Sequence, residues 1–272
     1  MLQCDPPMTI SIQGAWGSGK TSIMNMVQNR INDKVIPVFF NTWQFSQLDL
    51  GNNLPISMLK VFLNKISNGK IDALSQKLLK LGKKGIKILL NAATRSISGG
   101  LLEGPFDKDH PQEYVDFTEA LEDLHSSLQF AAEECCNNAG KDRIVVFIDD
   151  LDRLVPSKAM ELLEVLKLFF DCTHCVFVFT IDYDVVIRGA AEKYGFNLND
   201  HSSHGQKEAE KGRAFFDKII QVPFKVPVVE YDIKSYLVEV LQKIDINPNN
   251  EDMPKYQKLC ALSLGTNPRG LK

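Results

Sequence analysis

Apolar residues gather into short continuous runs separated by mixed segments. Met8 to Gln13, Val35 to Phe40, Ile144 to Ile148, Val176 to Ile181 and Ile219 to Val222 each cover four to six positions. Runs this short, apolar on successive residues, are the pattern of strands covered on both faces. Between them apolar positions recur at helical spacing, beginning with a helix that runs through Ile31. Strands alternating with helices predict an α/β fold of three layers, with helices on both faces of a mostly parallel central sheet and ligands at the carboxyl ends of the strands. After Pro227 the pattern is helical only, over Asp232 to Ile244 and Met253 to Leu264. The chain therefore divides into a core of residues 1–229 and the beginning of a helical lid domain over 230–272.

From Gln47 to Asp142 no run reads as a strand, which is more chain than a crossover needs. The stretch of about residues 50–140 is expected to be a helical insertion. Ile71, Leu74, Leu78, Leu81, Gly85, Ile88 and Ala92 alternate at spacings of three and four, and so do Tyr114, Phe117, Leu121, Leu124, Leu128, Ala131 and Cys135. Residues 53–102 carry nine Lys or Arg against one acid, whereas residues 103–136 carry ten acids against one Lys. One reading is an antiparallel helical hairpin whose flanking charges attract. The other turns Lys77, Lys80, Lys83, Lys84 and Lys87, within a basic segment of residues 60–95, toward nucleic acid or an anionic membrane surface.

Composition narrows the class. A chain of 272 residues that is 44% hydrophobic can bury a large core, and a formal charge of -3 gives no whole-chain reason to bind a polyanion. The first eight residues lack the order of a secretory signal, and the longest apolar runs fall far short of the roughly 20 residues of a membrane helix. A cytoplasmic protein with no transmembrane segment is expected. Its six cysteines then read as reduced thiols, and Cys172-Thr-His-Cys175, with no second spaced pair, as buried thiols rather than a zinc or redox site.

The chemistry is carried by Gly14-Ala15-Trp16-Gly17-Ser18-Gly19-Lys20-Thr21, with Ser22 following, set between the first strand and the first helix. In the pattern Gly-x-x-x-x-Gly-Lys-Thr, glycines let the backbone curl around phosphates and aim its N–H groups at them from a helix amino terminus. Lys20 is expected to reach the β and γ phosphates and the Thr21 hydroxyl to bind Mg2+. The third strand ends in Asp149-Asp150, which places a carboxylate at the sheet's carboxyl edge. Asp149 is the expected second holder of magnesium, and Asp150 the group that orients or deprotonates attacking water, or else caps the next turn. Arg153 either reaches a phosphate or pairs with Asp150 or Asp152. If the fourth strand lies between the other two motifs, Thr180 and Asp182 stand near the γ phosphate, with Asp182 the stronger sensor candidate; alternatively Asp182 caps a helix. Arg269, in the lid, is a candidate to fold back on the nucleotide.

With those residues in place, the chain resembles the KAP family of P-loop NTPases, in the STAND and AAA-like branch. The resemblance rests on Gly14-Ala-Trp-Gly-Ser-Gly-Lys-Thr-Ser22 with Asn25, Phe40-Asn-Thr-Trp43, Phe147-Ile-Asp-Asp-Leu-Asp-Arg153, Phe216-Asp-Lys-Ile-Ile220 with Val222-Pro223, and Asn267-Pro-Arg269. It implies ATP hydrolysis coupled to assembly or signalling, often in bacterial defence against phages or plasmids, in a homo-oligomer or with an effector protein. Many members of the family insert transmembrane helices where this chain has a charged amphipathic insertion, and many continue into further helices and partner domains beyond the position of Lys272. No Asn-Lys-x-Asp motif follows the fourth strand, which disfavours GTP, and Ser98-Gly-Gly100 is a poor match to an ABC signature. A Mg2+-dependent ATPase is thus the expected activity; a non-hydrolysing nucleotide-gated scaffold is its rival.

Overall fold

A computed structural model describes residues 1–47, 54–66, 111–167, 171–194, 216–228, 233–247, 249 and 251–263. Five strands, β1 (Met8–Gln13), β2 (Ile36–Asn41), β3 (Ile144–Asp149), β4 (Cys175–Ile181) and β5 (Val222–Lys225), form one sheet in the order β2-β3-β4-β1-β5. Every neighbouring pair is parallel. The three central strands are buried almost throughout, because helices cover both faces; this is why their apolar runs are continuous rather than alternating.

The two faces separate the sequence by parity. Val145, Phe147, Val176 and Val178 point to one side with Ile10 and Ile12, where Met24 and Ile31 of α1 (Lys20–Ile31) meet them. Ile144, Val146, Ile148, Phe177 and Phe179 point to the other. There they meet α3 (Leu54–Ile66), α4 (Pro111–Ala139), α5 (Pro156–Lys167) and α6 (Tyr183–Tyr194). A short α2 (Thr42–Gln47) follows β2, and α7 (Ile233–Lys243) and α8 (Met253–Ser263) follow the sheet.

Sequence and structure differ at the fifth strand. Ile219 and Ile220 are buried core residues at the end of a helical turn, and pairing with β1 begins only at Val222. The strand itself is exposed along its length, as an edge strand can be, so the apolar run marks the helical anchor instead. The insertion also contributes directly to the core: Leu128, Ala131 and Cys135 of the second seam pack with Phe62, Leu63 and Ile66 of α3 beside the sheet. The first seam, the lysines at 77–87, Ser98 to Gly100 and Arg269 lie outside the described residues.

Cys135, Cys136, Cys172 and Cys175 are free and buried in this same core. Burial and the neighbouring sulfurs push the Cys136 thiol up to about 11, and Cys172 beside it holds Cys175 well above its ordinary value. Raised in this way, the Cys136 and Cys175 thiols stay protonated at neutral pH. Among the described residues no helix is long and apolar enough to cross a membrane.

Candidate nucleotide-binding site

The sheet order puts β4 between β1 and β3, so the carboxyl ends of three adjacent strands converge on one edge. The loop after β1 starts against β4, where the Gly14 N–H donates to the Ile181 carbonyl at 3.3 Å. Gly17 and Gly19 adopt positive φ of 84° and 92°, a conformation that favours glycine, and Gly19 leads directly into α1. The first turn of a helix has N–H groups without partners inside the helix, and this helix start lines a pocket of about 160 Å3, with Trp16, Gly17, Gly19, Thr21 and Ser22 from the loop and Asp149, Asp150 and Thr180 from the strand ends.

Lys20 is 7% exposed although it carries a charge. Its ammonium donates to the Gly14 and Ala15 carbonyls at 2.8 and 3.2 Å and pairs with Asp152 at 2.7 Å. Thr21 Oγ1 donates to Asp149 Oδ1 at 3.2 Å. The same carboxylate oxygen accepts the Asp150 N–H at 2.9 Å and the Thr180 hydroxyl, which in turn accepts the Asp150 N–H at 3.2 Å. Asp149 is therefore locked to α1 and β4 at once.

Asp150 is a non-glycine residue at φ 62°, which turns the chain sharply out of β3 into the 3-10 turn Leu151–Arg153. Both its carboxylate oxygens are engaged: Oδ1 pairs with Arg153 Nε at 2.7 Å, and Oδ2 accepts from Asn41 Nδ2 at 2.8 Å. Burial raises its carboxyl above the ordinary carboxylate value and Asp149 and Asp152 add to that, while Asn41 and Arg153 pull it back. The net direction favours the protonated carboxyl more than in an exposed aspartate.

No spacing in the sequence marks Asn41. It ends β2 beside Asp149 in the sheet register, and its Oδ1 caps α2 by accepting the Gln44 N–H at 3.1 Å. Thr42, fully buried, donates to the Asp149 carbonyl at 2.9 Å. Trp43 lies 5.2 Å under the Arg153 guanidinium. The signal that would have found them is the Asn-Thr-Trp segment itself, which the family resemblance marks without explaining.

The other expected residues are placed as follows. Ser18 is buried, its N–H donating to Ala15 at 3.1 Å, and Gly14 and Ala15 line a neighbouring cavity rather than the phosphate pocket. Asp182 also lines that second cavity, of about 750 Å3, and its Oδ1 accepts the Asp184 N–H at 3.1 Å at the start of α6. Thr180 lines the pocket beside Lys20 and Asp149, and Asp182, just beyond β4, does not.

The donor set fits a magnesium nucleotide. Magnesium takes hard oxygen ligands and is held by one or two protein groups together with substrate phosphates. The Thr21 hydroxyl and Asp149 carboxylate are such a pair, and they line the same pocket as Lys20. Among the described residues no group of three or more His, Cys, Asp or Glu is placed to hold a metal ion.

The model of the family described as "KAP family P-loop domain" matches residues 1–272, so the chain belongs to that family. No curated protein matches it.

Proposed function

We propose that this KAP-family P-loop protein binds ATP with Mg2+ and hydrolyses it, acting as a nucleotide-driven assembly or signalling switch. The observation that carries the reading is the meeting of Lys20, Thr21 and Asp149 in one pocket at the start of α1, with Asp150 one residue beyond. A pocket of about 160 Å3 suits a phosphate chain, and the adjoining cavity of about 750 Å3 across Gly14 and Ala15 is of a size for a nucleoside. Carboxylates of Asp182 and Asp184 line that cavity and suit a base that offers an amino group, as adenine does.

Thr21 and Asp149 would hold the magnesium, which when bound neutralises charge on the phosphate oxygens. Asp150 takes a proton from water as the water oxygen attacks the γ phosphorus. The bond from that phosphorus to the β–γ bridging oxygen breaks, and ADP leaves with its electron pair. Lys20 and Arg153 offset the negative charge that develops. Family membership supports coupling of this cycle to assembly with further copies or an effector, and a role in bacterial defence. Buried free thiols support a reducing compartment, the cytoplasm.

One observation favours the second reading, a scaffold that binds ATP without hydrolysing it: Asp150 has neither carboxylate oxygen free. Single-turnover hydrolysis of ATP by the natural chain and by Asp150→Ala separates the two. A natural rate well above that of the variant supports the enzyme; equal rates at or near zero leave the scaffold.

A further inference from the structure

Lys20 has no donor to spare. An ammonium carries three N–H groups, and the Lys20 ammonium meets three acceptors: the Gly14 carbonyl at 2.8 Å, the Ala15 carbonyl at 3.2 Å and Asp152 Oδ2 at 2.7 Å. Both side chains of the ion pair are 7% exposed, so the pair is shielded from the screening that weakens surface contacts. Asp152 lines the phosphate pocket itself. A phosphate can engage Lys20 only by displacing one partner. The carbonyls belong to the loop that cradles the ligand, whereas Asp152 sits on a side chain and carries the charge that a phosphate would bring.

The second cation at the pocket is held in the same way by the same turn. Arg153 Nε pairs with Asp150 Oδ1 at 2.7 Å, and its side chain is 34% exposed beside Trp43. Among the described residues, both cations that line this pocket are thus paired with carboxylates of one short turn, Asp152 and Asp150.

We propose that Asp152 is a resident phosphate mimic and the Asp150 to Arg153 turn a charge-exchange latch. A triphosphate takes Lys20 from Asp152 and Arg153 from Asp150. The second exchange frees Asp150 Oδ1 toward the water, so the base is released only when a nucleotide is present. Asp152 therefore weakens nucleotide affinity, while the Asp150–Arg153 pair holds the base until a nucleotide is present. The inference rests on the nucleotide-binding reading of the pocket.

Calorimetric titration of magnesium pyrophosphate and of magnesium ATP into the natural chain, Asp152→Asn and Lys20→Ala tests it. Tighter binding by Asp152→Asn, about tenfold for both ligands, is expected, since one charge-assisted contact no longer has to be broken. Unchanged or weaker binding by a folded Asp152→Asn overturns the latch. If the natural chain binds neither ligand better than Lys20→Ala does, the nucleotide reading itself fails. A readout independent of that variant is tryptophan emission: departure of Arg153 from the Trp43 ring on ATP addition gives a change that Trp43→Phe removes. A nucleotide-saturated chain whose Trp43 emission does not change overturns the exchange at Arg153.

Discussion

Asn41 Nδ2 donates to Asp150 Oδ2 at 2.8 Å, from the end of one parallel strand to the residue just beyond the end of its neighbour. Asn41 is itself fixed by the Gln44 N–H on its Oδ1, so it sets the carboxylate's direction and opposes the rise in its pKa caused by burial. It is a positioning residue for the proposed base.

Asn41→Ala should therefore lower single-turnover hydrolysis by about tenfold or more, within the range that a positioned base contributes. Nucleotide affinity should stay near that of the natural chain. The acid limb of the pH–rate profile should move to higher pH, because a hydrogen bond to the ionised carboxylate is lost. A lower rate with an unmoved profile would mean that Asn41 only supports the fold.

Asp150→Asn should raise the melting temperature near pH 7. Burial raises the Asp150 carboxyl above its unfolded value, so the folded chain favours the protonated form. The stability this group contributes is fully present below the ordinary carboxylate value and is lost as pH rises through the raised one. Asparagine removes that penalty and also tolerates φ 62° well. The gain should shrink as pH falls toward the ordinary carboxylate range, and thermal melts across pH read it directly. A gap that widens on acidification contradicts the account.

Gly189→Ala should destabilise the chain by about 1–3 kcal/mol, as overpacking does. A Cβ there would stand 2.7 Å from the Pro156 carbonyl carbon and 3.2 Å from Met160 Cβ, where α6 and α5 pass closely. Denaturant unfolding measures it.

Much of this arrangement is legible in the sequence because the decisive signals are local. Met8 to Gln13 reads as a strand and Gly14 to Thr21 as a phosphate loop, since each depends on consecutive residues; Asp149 follows because four or more apolar residues must place it at the sheet edge. What the sequence hides depends on which strands are neighbours. Asn41 meets Asp150, and Asp152 meets Lys20, across separations of 109 and 132 residues, and neither pairing leaves a spacing. Thr180 lies at the end of β4 and Asp182 just beyond it, so only the observed exit of the chain into α6 shows which of them reaches the pocket. The fifth strand begins three positions after its apolar run does, because the apolar pattern reports the burial of Ile219 and Ile220 while pairing starts at the exposed Val222.

Loss of the Lys20 ammonium should weaken nucleotide binding by roughly 10- to 100-fold, the worth of charge-assisted hydrogen bonds to phosphate. Titrating magnesium ATP into the natural chain and into Lys20→Ala is the most direct test of the central claim. Saturable binding of one ATP per chain, abolished or weakened to that extent in the variant, is the predicted result. No binding by the natural chain, or equal binding by both, would contradict it.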